Sequence, residues 1–305
     1  MHTSIKQESF RDLVNQPVIL GFARQILTES YTACAPGQEA AMQALLDRAF
    51  SELEAARRDP RSFSQAVAAL REVVFRKGDP DSWFNQLYNH YKRVDKPHHR
   101  FERLQPWLQG KRVLDLGCGD GLTALILQQN GYQAALTDVL DYRDPATREL
   151  PFALMTDRRS VPFPGRCFDS ALVFAVLHHV EEEDLLPLLG SLHKTCQRVI
   201  VEEDCYDISQ SLPGLPETIE NDPQLQRFLS LAVEDQLRYL MFVDYFANAI
   251  TQGLPEMNIP FNFRTVAGWQ SLFAGQGFRL RLTQVMGFQQ GLFNRSCHVW
   301  FVLDV

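Results

Sequence analysis

From Met42 the apolar residues fall at Met42, Leu45, Leu46, Ala49, Leu53 and Ala56, the spacing of one helix face. Asp59-Pro60 ends that pattern. Ser62 caps a second helical stretch that runs to Phe75, where Lys77-Gly78-Asp79-Pro80 stops it. Nothing between residues 10 and 95 alternates as a strand does, so residues 1–95 are expected to form a helical cap of roughly three to five helices.

After Lys96-Pro97 the pattern changes to short β-rich runs at 112–116, 133–137, 153–155, 170–174 and 198–202, separated by helix-length segments such as 122–130. That alternation predicts parallel strands with crossover helices, an α/β doubly wound sheet over residues 96–305. The chain then departs from the rhythm. Residues 265–276 read as a helix, and 278–286 and 296–305 as two strands joined by GFQQGLFN, an antiparallel pair at a sheet edge. An insertion at about 205–262 is dominated by a long helix, with Asp222 as its cap and Pro223 in its first turn.

A length of 305 residues with 45% hydrophobic positions supports a substantial core. The net charge of −7 argues against a nucleic-acid partner, and the pairs Arg57-Arg58 and Arg158-Arg159 are too short to change that. Six cysteines occur without zinc-ligand spacing, as in a reducing compartment. The stretch MHTSIKQESFRDL lacks a signal-peptide pattern, and no run approaches the ~18 apolar residues of a membrane span. A cytoplasmic protein with a small-molecule partner is expected, with no membrane partner; assembly into homo-oligomers stays open.

The chemistry concentrates in VLDLGCGDG at 113–121, where a strand meets three alternating glycines, Gly117, Gly119 and Gly121. Such a turn lets backbone approach a ligand closely. The dinucleotide pattern G-x-G-x-x-G/A fails, because its third position is Leu122. Asp115 and Asp120 beside the turn would oppose a pyrophosphate and favour a cationic ligand. Asp138, 19 residues past Gly119, stands where an acid can accept bonds from ribose hydroxyls.

With these residues in register, residues 96–305 resemble the class I S-adenosylmethionine-dependent methyltransferases. VLDLGCGDG is similar to that family's first motif, and TDV at 137–139 to its ribose-binding acid. The resemblance implies a mostly parallel seven-stranded sheet with an antiparallel edge strand, and S-adenosylmethionine as cofactor. It implies cofactor contacts from Asp115, Gly117, Cys118, Gly119, Asp138 and Val139, with Asp157 and Arg158 at the adenine and Phe174 and Ala175 at the border. VPFPGRCFDSALVFAVLHHV resembles the segment leading to the active-site loop, which sets His178 and His179 at the methyl-transfer site.

Methyl transfer from a sulfonium is an in-line displacement, so the enzyme mainly aligns the acceptor and excludes water. A hydroxyl, ammonium or carbon acid also needs a base, and His178 or His179 is the candidate. As neighbours they cannot both point at one ligand from a regular strand. Glu202, Glu203 and Asp204 end the fifth strand, and Glu203 is taken as an acceptor contact. With His178 and His179 one of these carboxylates could complete a two-histidine, one-carboxylate metal site, but consecutive carboxylates in a loop are usually solvated, so no metal is expected. Asp244 and Asn248, one turn apart in the inserted helix beside MFVDYF, with PFNF at 260–263, suggest a lid over a polar and aromatic acceptor. Tyr88 and Tyr91, in SWFNQLYNHYK, are the remaining substrate candidates, although aromatics at helical spacing often belong to a core. The leading expectation is O- or C-methylation of a small molecule in an enclosed pocket. The alternatives are a non-catalytic cofactor-binding sensor or scaffold, and a methyltransferase of RNA or protein.

Overall fold

The computed structural model describes residues 2–211, 215–254, 257–289, 291–293 and 295–305. It divides into two compact units. One comprises residues 1–90, 205–263 and 286–297, the other 91–204, 264–285 and 298–305. Gln290 and Asn294, in the stretch that joins the last two strands, lie outside the described residues.

The first unit opens with five helices, α1 (His2–Val14), α2 (Pro17–Ala33), α3 (Glu39–Ala56), α4 (Pro60–Ala69) and α5 (Trp83–His90). The cap of α4 is Asp59, whose carboxylate accepts the Ser62 N–H at 2.7 Å, and Pro60 takes the first turn. Ser62, read from the sequence as the cap, is already inside. Asp59-Pro60 ends one helix and starts the next because proline costs nothing where the amide would be unpaired anyway.

The second unit begins with a π-helical turn (Tyr91–Asp95) that leads into α6 (Lys96–Leu104). Then come β1 (Arg112–Leu116), α7 (Leu122–Gln129), β2 (Gln133–Asp138), β3 (Phe152–Leu154), β4 (Phe168–Phe174), α8 (Glu182–Thr195) and β5 (Cys196–Tyr206). The chain passes through α9 (Glu217–Glu220), α10 (Pro223–Leu229) and α11 (Val233–Tyr245) of the first unit. It then forms β6 (Arg264–Thr265), α12 (Val266–Gly275), β7 (Arg279–Phe288) and β8 (Cys297–Asp304). The single long inserted helix expected from the sequence is two. Asp222 caps α10 through the N–H groups of Gln224 and Leu225, but the helix stops at Leu229, and Ala232, in extended conformation, restarts it as α11.

The first unit is held by aromatic packing. Phe10 stacks on Tyr245 with ring centroids 4.3 Å apart, and Phe50 lies 6.0 Å from Phe246 and 6.2 Å from Phe242. These rings are almost wholly buried, and this interior supplies the unit's main driving force.

In the second unit the strands run β3-β2-β1-β4-β5-β8-β7, with the two-residue β6 paired to β5 as an eighth strand. β1 pairs in parallel with both β2 and β4, so strand order reverses at its carboxyl end, the switch point where ligands of such sheets bind. The expected doubly wound sheet is present. The last two strands form its edge, and the one that runs antiparallel to β5 is the inner member, β8. β5 continues past Glu202, where the sequence appeared to end it, because β8 pairs with the acidic tip: Glu202 faces Trp300, Glu203 faces Val299 and Asp204 faces His298.

Candidate active site

β1 ends at Leu116, and the glycine turn that follows is tied to β2 by the Gly117 N–H, which donates to the Thr137 carbonyl at 2.8 Å. Gly117 has φ of +68°, and a Cβ there would lie 2.4 Å from Cγ2 of Val176, so its neighbour after β4 occupies that side. Gly119, with φ of +58°, differs. Nothing stands closer than 3.8 Å to a Cβ placed on it, and there Tyr142 is the neighbour. Gly119 therefore offers uncovered backbone to a ligand. Its N–H donates to Oδ2 of Asp138 at 2.9 Å, while Oδ1 accepts the N–H groups of Val139 at 2.7 Å and Leu140 at 3.3 Å. Asp138 thus locks the turn, and Oδ2 keeps a second lone pair for a ribose hydroxyl. Burial raises its pKa, against those three bonds. Cys118 is buried and its thiol is pushed up by burial and by the acids around it, which makes it inert.

Asp115, on β1, is buried, and burial raises its pKa to about 7; Asp120 and Asp138 add to the rise, and Arg100 opposes it. Asp120, just ahead of α7, accepts the Leu122 N–H at 3.2 Å, and its Oδ2 lies 3.3 Å from Nζ of Lys92. The open backbone at Gly119, the acid at Asp138 and the carboxylates of Asp115 and Asp120 fit an adenosine ligand that carries cationic groups, as S-adenosylmethionine does. They disfavour a pyrophosphate.

At the end of β4, Phe174 is buried, and Ala175 takes φ of +57°, a conformation L residues rarely adopt, while its N–H donates to the Glu202 carbonyl at 2.8 Å. A 3₁₀ turn (Leu177–His179) follows. Glu203, fully buried, accepts the N–H groups of Val176 and Leu177 through Oε1 at 3.1 and 2.7 Å. Its Oε2 lies 2.6 Å from Nδ1 of His178. The sequence placed Glu203 against the acceptor. With no exposed surface it instead orients the loop and His178, itself only 2% exposed. His179 is half-buried, with its ring centroid 4.2 Å from that of His178.

The even-numbered residues of β5 face a different set. Glu202 accepts from Trp300 Nε1 at 2.8 Å and from Arg100 at 3.0 Å, and Phe174 lies 5.3 Å from Trp300 and 5.2 Å beneath the Arg100 guanidinium. Burial pushes the Glu202 pKa up, but Arg100, His298 and Trp300 hold it below its ordinary value. Asp204 lies 2.8 Å from Nδ1 of His298. Burial pulls the His298 pKa down, yet Asp204 and Glu202 leave it raised overall. Sequence reading missed Lys92, Lys96, Arg100, Tyr142 and His298. The four-residue spacing of the three cations just ahead of β1 was a usable signal. His298 gave none, because only the antiparallel pairing brings it to the acidic tip.

Asp157 and Arg158 are exposed after β3, and Asp157 bonds within its own turn, to the N–H of Arg159 at 2.9 Å and the hydroxyl of Ser160 at 3.1 Å. Tyr91 is half-buried in the π turn of the second unit. Tyr88 is 4% exposed in the first unit, stacked on Phe84 with ring centroids 5.7 Å apart and edge-on to Phe293 at 5.2 Å. It packs among the aromatics of that unit's interior, as its helical spacing allows. Asp244 and Asn248 also belong to the first unit, where Asn248 Nδ2 donates to Asp244 Oδ1 at 2.6 Å and Asn248 Oδ1 accepts from Gln252 Nε2 at 2.9 Å. The two residues, one turn apart, straddle the end of α11 and the π-helical segment Phe246–Thr251 that continues it.

Residues 67–281 match a family described as methyltransferase domain. Among curated proteins none matches the chain in sequence. Solved structures overlap it partially. Geranyl diphosphate C-methyltransferase from Streptomyces coelicolor A3(2), in complex with Mg2+, geranyl diphosphate and S-adenosyl-L-homocysteine, is 13% identical, with 74% of this chain and 86% of that one covered and a TM-score of 0.46. The 1,6-didemethyltoxoflavin-N1-methyltransferase of Burkholderia thailandensis is 12% identical over 79% and 85%, with a TM-score of 0.45. A methyltransferase from Methanosarcina mazei is 14% identical over 66% and 96%, with a TM-score of 0.43. Overlap this partial says nothing of what the chain acts on.

Proposed function

Because the chain belongs to the methyltransferase-domain family, as an S-adenosylmethionine-dependent enzyme, we propose that it methylates a hydroxyl oxygen or an acidic carbon of a small molecule, with His179 as the base. The observation that carries this reading is the fixed pair of imidazoles after β4. Glu203 locks His178 at 2.6 Å, and His178 in turn packs against the less buried His179. A base held this way loses little freedom when an acceptor arrives.

The cofactor, when bound, supplies an electrophilic methyl group. Asp138 and the Gly119 backbone would hold the adenosine, and Asp115 with Asp120 would favour the cationic groups. His179 would take the proton that the acceptor gives up on methylation and would be left as a protonated imidazole. The net charge of −7 supports a small acceptor over RNA.

The test is incubation with methyl-tritiated S-adenosylmethionine and a cell extract split into small-molecule, RNA and protein fractions. Label is expected in the small-molecule fraction, and His179→Ala should abolish it while leaving S-adenosylhomocysteine binding intact. Label in RNA or protein would overturn the proposal.

A further inference from the structure

Lys92, Lys96 and Arg100 follow one another at four-residue intervals, through the π turn and into α6, and so share a face of that segment. The outer two are satisfied. Lys92 lies 3.3 Å from Asp120 at the glycine turn, and Arg100 lies 3.0 Å from Glu202 at the tip of β5. Among the described residues the ammonium of Lys96, between them, has no carboxylate within ion-pair distance.

Lys96 is half-buried. Arg100, burial and Lys92 all disfavour its charge, against the pull of Asp120 and Glu202, and its pKa falls to about 7. Those two carboxylates already have cations of their own. An anion entering here would gain a partner that needs no other bond broken and would relieve the repulsion along the helix face. The surroundings supply the complementary charge as well. Asp115 feels both Arg100 and Asp120, so the same edge can receive a cationic group beside an anionic one.

We propose that Lys96 receives a carboxylate or phosphate of a ligand bound at the glycine turn. This rests on the reading of that turn as the cofactor site. Two sources share the chemistry: the amino-acid carboxylate of the cofactor and an anionic group on the acceptor.

Calorimetric titrations of the whole protein and of Lys96→Met and Lys96→Arg separate them. The probes are S-adenosylhomocysteine, 5′-methylthioadenosine, which lacks the amino-acid end, and inorganic pyrophosphate added to protein saturated with S-adenosylhomocysteine. If the cofactor is the source, Lys96→Met weakens S-adenosylhomocysteine by roughly tenfold or more, methylthioadenosine changes less than about twofold, and Lys96→Arg largely restores the difference. If the acceptor is the source, S-adenosylhomocysteine is unaffected, and pyrophosphate binds the unsubstituted protein but not Lys96→Met. Methylthioadenosine binding doubles as the check that the variant is folded. Equal binding of every probe by Lys96→Met and the unsubstituted protein overturns this inference alone, whereas failure of the unsubstituted protein to bind either nucleoside overturns the cofactor site and the inference with it.

Discussion

The Gly119 N–H donates to Oδ2 of Asp138 at 2.9 Å, so the uncovered glycine of the first turn and the acid at the end of β2 are one device. Removing the acid loosens the turn and deletes the ribose acceptor together. Asp138→Ala is expected to weaken S-adenosylhomocysteine by about 1–3 kcal/mol, measured by calorimetry. An unchanged affinity would show that the ribose lies elsewhere.

Glu203 and His179 should separate in their effects. Glu203 is fully buried beneath the loop after β4, and its loss strands two backbone N–H groups and the His178 ring. Glu203→Ala is expected to cost about 3 kcal/mol in urea unfolding, the range for breaking a buried charged contact. His179→Ala should cost under about 1 kcal/mol, since its half-exposed ring supports little. Equal losses would make His179 structural.

Asp115 gives a pH signature. Burial raises its folded pKa to about 7, above an unfolded value near ~3.9. Between those values the folded state binds the extra proton, so stability without cofactor falls as pH rises from about 4 to about 7 and then levels. Asp115→Asn should therefore stabilise the unliganded protein at pH ~8, by something on the order of 1–3 kcal/mol, and leave it unchanged near pH ~4. Thermal melts at the two pH values check this. The same substitution should weaken the cofactor, because a carboxylate costly to the free protein is retained for its cationic partner.

The glycine turn, Asp138 and the alternation of strand and helix were legible because each depends on neighbours in sequence. The breaks at Leu229 and beyond Glu202 were not. α10 stops although nothing between Pro223 and Tyr245 reads as a strong breaker, and β5 runs on through three carboxylates because Trp300, Val299 and His298 arrive opposite them from ~100 residues away. The roles within the acidic tip were equally hidden. Side-chain alternation sends Glu203 to His178 and Glu202 to Arg100 and Trp300, a division that spacing alone does not assign to partners. The burial of Tyr88 was open for the reverse reason: its helical spacing suits a core as well as a site.

The most direct test of the cofactor site is calorimetric titration of the purified protein with S-adenosylhomocysteine and, separately, with NAD. The carboxylates around the glycine turn predict binding of the first alone. Preference for NAD, or binding of neither, would contradict the account of Gly119, Asp115 and Asp138.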